Sequence, residues 1–266
     1  MKRLALLIVL ALFIQITLSS QPCLPDGITF LTQEQIDNFQ TNYPNCTEIV
    51  GDVIISEGYI TNLNGLSVLT SIEGGLRIGG LDESSALINL TGLEGLTYIG
   101  GDLLIIGNFS LTSLSGLDNL SSIIGNFTLG VRGLYFEGGN PLLTSLIGLG
   151  SLTSVGGYLS ISSNNGLTSL TGLDNIDSIP DLYITYNSSL ASCEAQWLCD
   201  YLANPNGSIN IYNNAPGCNN PIEIADSCGI TLSCLPFGNY FFLLNQISTI
   251  FKLTTPTALK LKGIFT

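Results

Sequence analysis

Leu63-Asn-Gly-Leu66 returns as Leu90-Thr-Gly-Leu93, Leu114-Ser-Gly-Leu117, Leu146-Ile-Gly-Leu149 and Leu170-Thr-Gly-Leu173. Successive starts lie 27, 24, 32 and 24 residues apart. Eight to twelve residues after each start, a Gly-rich or Pro-containing turn leads into a short apolar-x-apolar triplet. These triplets fall at 76–78, 103–105, 127–129, 159–161 and 182–184, and 53–55 before them and 209–211 after them make seven. Alternation with a period of two turns both apolar residues of a triplet inward and the middle one outward.

A segment of about 24 residues with one short strand cannot bury its own apolar face. Stacked on its neighbours at about 4.8 Å per strand, it can. The leucines of each repeat then line one continuous core. The Gly-Gly pairs fit corners where a side chain would clash or where φ is positive. A globular β-sandwich gives no reason for such a period.

Solenoid ends expose unpaired strand edges, so caps are expected at both. Thr32-Gln-Glu-Gln35 is a capping-box pattern before Ile36, Phe39 and Tyr43, and Pro44 stops the run. Cys23 and Cys46 flank this helix and are expected to be bonded. At the other end Ser192 can N-cap a helix through Cys193, Trp197, Leu198 and Leu202, ending near Asn204-Pro205. Cys193 and Cys199 are six residues apart, so on a helix they point in different directions, toward different partners in Cys218 and Cys228. Three pairings of those four cysteines stay open; Cys193–Cys218 with Cys199–Cys228 is preferred. The expected fold is mainly β: a right-handed parallel β-solenoid of leucine-rich type, residues 21–233, with helical, disulfide-stapled caps at both ends.

The ends of the chain read differently. Met1-Lys-Arg3 and the apolar run 4–18, followed by Ser19 and Ser20, form a signal-peptide pattern over residues 1–20. The apolar run is shorter than the roughly 20 residues a membrane span needs. All seven cysteines lie after it, in terminal groups, which suits disulfides in an exported protein rather than thiol or zinc chemistry. The expected location is therefore secreted or cell-surface, with no membrane span once the leader is removed.

Charge excludes whole classes of function. Charged residues are 10% of the chain, the net charge is −13, and there is no histidine. Between Gln21 and Leu235 only Arg77 and Arg132 oppose all twenty acidic residues. Phosphate backbones need several basic side chains, so nucleic acid is not an expected partner. The missing histidine removes the commonest general base and metal ligand. No cofactor is expected.

Cys23-Leu-Pro-Asp-Gly-Ile-Thr-Phe30, the helix ending in Asn42-Tyr-Pro-Asn-Cys46, and the Ile-x-Gly-Asp and Leu-Thr-Ser-Leu-x-Gly-Leu repeats resemble bacterial secreted receptor-L-domain-like proteins. The resemblance covers roughly residues 23 to 228. It implies an L-domain-type solenoid that recognises something without catalysis, and it carries no contact residue across by position.

The segment 234–238, Cys-Leu-Pro-Phe-Gly, repeats 23–27 with one change. Beyond it the likeness returns only when each codon's third base is joined to the first two of the next. Read so, 241–264 permits most of the order of residues 30–52. Residues 234–266 are therefore expected to be the truncated, frame-shifted start of a second module, with no fixed fold after 238. Cys234 would then be the odd cysteine.

Carboxylates are plentiful but scattered. Asp174, Asp177 and Asp181 sit near one turn, and Asp82-Glu83 lie in a loop. A glycoside hydrolase needs two carboxylates at a set separation, and solvated loop acids are the commoner reading. Binding is the better expectation. The outward stripe Ile54, Arg77, Leu104, Thr128, Ser160, Tyr183 and Asn210 carries little charge. The longest repeat holds an insertion near 131–141 with Arg132, Tyr135, Phe136 and Glu137. An irregular rung burying Leu134 and Phe136 is the competing reading of that insertion. Candidate ligand-binding residues are thus Arg77, Arg132, Tyr135, Phe136 and Tyr183. The expected function is a non-catalytic extracellular module binding a protein or glycan; the alternatives are a carbohydrate-active β-helix enzyme and a structural adhesin spacer. Seven Asn-x-Ser/Thr sequons, including Asn89, Asn108, Asn126 and Asn187, follow from a composition rich in those residues.

Overall fold

The computed structural model describes residues 21–56, 59–80, 86–132 and 138–232. The expected leader and the tail from 234 lie outside the described residues. Within them the protein is mainly β, its strands gathered in two parallel sheets. The long sheet contains β2 (Ile28–Phe30), β4 (Val53–Ile55), β6 (Leu76–Ile78), β8 (Leu103–Ile105), β10 (Phe127–Leu129), β12 (Leu159–Ser162), β13 (Leu182–Thr185) and β14 (Ile209–Tyr212), side by side in that order. The short sheet contains β1 (Gln21–Cys23), β3 (Cys46–Ile49), β5 (Ser71–Ile72), β7 (Tyr98–Ile99), β9 (Ser122–Ile123) and β11 (Ser154–Val155). From β3 to β12 the chain alternates between them, one strand of each per coil, which is a solenoid-like stacking.

Register does not slip along the long sheet from β4 to β14. Val53, Leu76, Leu103, Phe127, Leu159, Leu182 and Ile209 form one column, and Ile54, Arg77, Leu104, Thr128, Ser160, Tyr183 and Asn210 another. The first column is buried and the second half-exposed, as the alternation requires. All seven expected strands are present. An eighth, β2, pairs ahead of them with β4. The long repeat leaves the register intact because its insertion is closed at the base: Val131 and Gly138 exchange backbone hydrogen bonds at 3.2 and 2.8 Å.

Both leucines of every Leu-x-Gly-Leu motif are buried in the core between the sheets. The glycine between them is fixed by backbone approach. Gly92, Gly116, Gly148 and Gly172 have φ from +111° to +118°. A Cβ on any of them would overlap the carbonyl of the leucine opening the preceding motif: Leu63, Leu90, Leu114 or Leu146. The corner pairs Gly74-Gly75, Gly100-Gly101 and Gly156-Gly157 show the clash that was expected but not the positive φ.

One feature of the interior has no counterpart in the leucine pattern. Asn108, Asn140, Asn164, Asn187 and Asn214 stack as a buried column just past the ends of the long-sheet strands. In each, the carboxamide Nδ2 donates to a carbonyl at the end of the strand one coil earlier, namely Ile78, Ile105, Leu129, Ile161 and Ile184. In each of the first four, the backbone N–H donates to the carboxamide oxygen of the next asparagine. The sequons at Asn108 and Asn187 therefore mark no glycosylation sites, because both side chains are fully buried and bonded.

Helices lie at both ends. Thr32 caps α1 (Gln33–Asp37) through the expected capping box. The run then breaks at Asn38 and resumes as α2 (Phe39–Asn42), whose Phe39 meets Phe30 edge-on at 5.9 Å. At the other end α3 (Gln196–Ala203) is N-capped by Ala195, not by Ser192 as expected. Ser192 is still extended there: it bridges Ser169, and its N–H donates to Thr168. The helix ends at Asn204, where expected. A further helix, α4 (Pro221–Cys228), is N-capped by Asn220 and closed by left-handed Gly229. Disulfides join Cys23 to Cys46, Cys193 to Cys218 and Cys199 to Cys228.

Candidate functional site

Much of the scattered acidity serves the backbone. The carboxylates of Asp52, Asp102 and Asp181 accept the N–H of Gly75, Asn126 and Ser208, each at the same corner of the next coil. Those of Glu94, Asp118 and Asp174 accept the N–H of the motif glycines Gly92, Gly116 and Gly172. Asp174 and Asp181, two of the three acids near one turn, are thus explained by the stacking. Among the described residues, no group of three or more His, Cys, Asp or Glu side chains is placed to hold a metal ion.

The candidate binding residues do not all meet. Arg77 is the second position of the outward stripe, its Nε donating to Gly79 O at 3.2 Å. Four strand steps separate it from Tyr183, roughly 19 Å at 4.8 Å per step. Tyr183 packs edge-on against Tyr158, with ring centroids 5.7 Å apart. Arg132, at the root of the insertion, places its guanidinium carbon 4.1 Å from the centroid of Tyr186. Tyr186 in turn stands edge-on to Tyr212 at 5.5 Å. Tyr135 and Phe136, together with Leu134, Glu137 and Asp82-Glu83, lie outside the described residues.

The structure therefore forms two clusters at the β12–β14 end of the long sheet, Tyr158 with Tyr183 and Arg132 with Tyr186 and Tyr212. Tyr158, Tyr186 and Tyr212 were missed in the sequence, although each sits beside or at the end of a long-sheet strand. Tyr158 directly precedes β12, Tyr186 directly follows β13 and Tyr212 ends β14, so no single spacing marked them. Tyr186 has a left-handed backbone at φ 59°, as do Ser163 and Asn213 at the equivalent place in neighbouring coils. The turn after the strand, rather than the strand itself, aims its ring. Burial, and then the nearby Tyr186, raise the pKa of the Tyr212 phenol.

No family model, no curated protein and no solved structure matches this chain. Among the described residues no helix is long and apolar enough to cross a membrane.

Proposed function

We propose that this protein is a non-catalytic extracellular recognition module that binds a protein or glycan through the β12–β14 end of its long sheet. The carrying observation is the Arg132–Tyr186–Tyr212 stack, with the Tyr158–Tyr183 pair on the same strands β12 to β14 as a second aromatic cluster. Aromatic rings and guanidinium groups contribute large contact area at little entropic cost, and they dominate binding hot spots. Here they stand on an in-register sheet, so little ordering is needed when a ligand arrives.

In this reading the solenoid is right-handed and of receptor-L-domain type, and the helices at its ends act as caps stapled by the disulfides. Three disulfides suit an oxidising, extracellular setting. The ligand is held and released unchanged, with no cofactor.

Probing arrays of extracellular proteins and cell-surface glycans with the full chain tests the proposal. Saturable binding with the ligand recovered intact is expected. A processed glycan would point to the enzyme alternative, and a chain that binds nothing on either array to the spacer.

A further inference from the structure

The long sheet keeps one bonding rule from coil to coil. The residue that opens a strand donates its N–H to the carbonyl just before the opening residue of the next strand. This holds from Ile28, which donates to Asp52 O at 2.8 Å, through to Leu182, which donates to Ser208 O at 2.9 Å. It stops at Ile209. β14 is the last strand of the sheet, and among the described residues its outer edge has no partner. Ser208 O and Tyr212 O face back and accept from Leu182 and Tyr186, so the N–H and C=O groups of Ile209 and Ile211 face outward.

The opposite end of the sheet is open too. Ile28 N–H and Phe30 O are bonded to Asp52 O and Ser56 N–H, so the N–H and C=O of Thr29 face away from β4, as does the Gly27 carbonyl. Thr29 is exposed. Ile28 is only half-buried, whereas the residues that follow it in its column, from Val53 to Ile209, are all buried. It is apolar surface that one more coil would cover.

We propose that these two edges join: β2 of a second copy of this chain docks in parallel beside β14, so that copies stack end to end. In the register of the sheet, Ile28 follows Ile209, Thr29 follows Asn210 and Phe30 follows Ile211. Ile209 N–H then meets Gly27 O, while Thr29 N–H and C=O meet Ile209 O and Ile211 N–H. These are bonds of the kind that already join the coils, and the inward–outward alternation continues across the junction. The sequence singles out this occupant. After the last described coil, Cys234-Leu-Pro-Phe-Gly238 repeats Cys23-Leu-Pro-Asp-Gly27, the segment that leads into β2. A β2-type coil is thus what the chain itself encodes next after β14 and α4. The junction is head-to-tail, so a free edge remains at each end and association continues into chains rather than closing as a dimer. Edge pairing uses backbone groups, and it stands whether or not the tyrosine–arginine surface binds a ligand.

Thr29 and Asn210 become neighbours across the junction, with Cα atoms about 4.8 Å apart, inside the disulfide range of about 4.4–6.8 Å. The full chain is prepared with Thr29→Cys and Asn210→Cys together, with Cys234→Ser to remove the seventh cysteine, and is mildly oxidised. Non-reducing electrophoresis should show dimers, trimers and longer chains that collapse on reduction. Thr29→Cys with Thr128→Cys, a position already flanked by strands on both sides, should give nothing beyond a dimer. In the unmodified protein, sedimentation should give a mass that rises with concentration. Thr29→Pro removes the outward N–H but none of the bonds to β4, and should hold the protein at the monomer, whereas Thr29→Val should not. The cross-link decides the question however well Thr29→Pro folds. A wild-type monomer at every concentration, no ladder from the 29/210 pair, an equal ladder from the 29/128 pair, or undiminished association of a folded Thr29→Pro would overturn the inference.

Discussion

Replacing Asn164 with alanine should destabilise the protein far more than the loss of a small polar side chain suggests. Asn164 Oδ1 accepts from the backbone N–H of Asn140 at 3.1 Å and from its Nδ2 at 2.9 Å. Its own Nδ2 donates to Leu129 O at 2.9 Å and Ser162 O at 3.1 Å. In the variant the Asn140 Nδ2 keeps Ile105 O, but the Asn140 N–H loses its acceptor and Leu129 O loses this donor. Each orphaned buried group costs about 1–3 kcal/mol, and the vacated volume adds to that, so the total is about 3–5 kcal/mol. Against a typical stability of about 5–15 kcal/mol this is a large share. The assay is urea unfolding followed by circular dichroism. Asn165→Ala, one residue along and exposed, should stay within about 0.5 kcal/mol of wild type. Asn164→Asp keeps an acceptor for the Asn140 N–H but offers Leu129 no donor and buries a charge, so it should be no more stable than Asn164→Ala. A loss below about 1 kcal/mol for Asn164→Ala would refute the idea that the column carries the stacking.

Three further outcomes are expected. Gly116→Ala forces a side chain into φ +112° against the Leu90 carbonyl and should cost about 2–4 kcal/mol, whereas Gly150→Ala, whose Cβ meets nothing within 4 Å, should cost almost nothing by the same unfolding measurement. Replacing Cys23 and Cys46 by serine opens a closure of 23 residues and should cost about 3 kcal/mol, with unreduced peptide mapping of the wild type showing the two linked. Tyr201, whose phenol is pushed up to about 12 by burial and then by the charge of Asp181, favours folding fully below the unfolded tyrosine value near 10. That contribution falls away as pH rises from about 10 toward 12, so Tyr201→Phe should show a flatter alkaline stability profile, at a neutral-pH cost of about 1 kcal/mol for its bond to Pro180.

The leucine motifs and apolar triplets made the long sheet legible because their spacing is set by the coil itself, and every triplet from 53 to 211 became a strand. The short sheet was not legible. Its strands are mostly two residues long, too short for alternation to register, although Thr70-Ser-Ile72 and Thr153-Ser-Val155 both precede a Gly-Gly corner. The asparagine column was hidden because Asn in a glycine- and serine-rich stretch reads as a turn, and only the stacked coils bring residues 23 to 32 apart into contact. Ser192 has the right chemistry for a helix cap but is held in an extended bridge, so local propensity yielded to sheet pairing. Of the candidate site, Arg132 and Tyr183 were readable from composition. Their tyrosine partners come from neighbouring coils, and no single repeat contains the cluster.

The most direct test of the recognition surface is the affinity of the full chain for its array-selected ligand, compared between wild type, Arg132→Ala and Tyr186→Ala by surface plasmon resonance. Hot-spot truncations cost about 2 kcal/mol or more, so each variant should bind roughly 30-fold more weakly, mainly through faster dissociation, with an unchanged melting temperature. Unaltered affinity in both variants would place recognition elsewhere on the molecule and contradict the account.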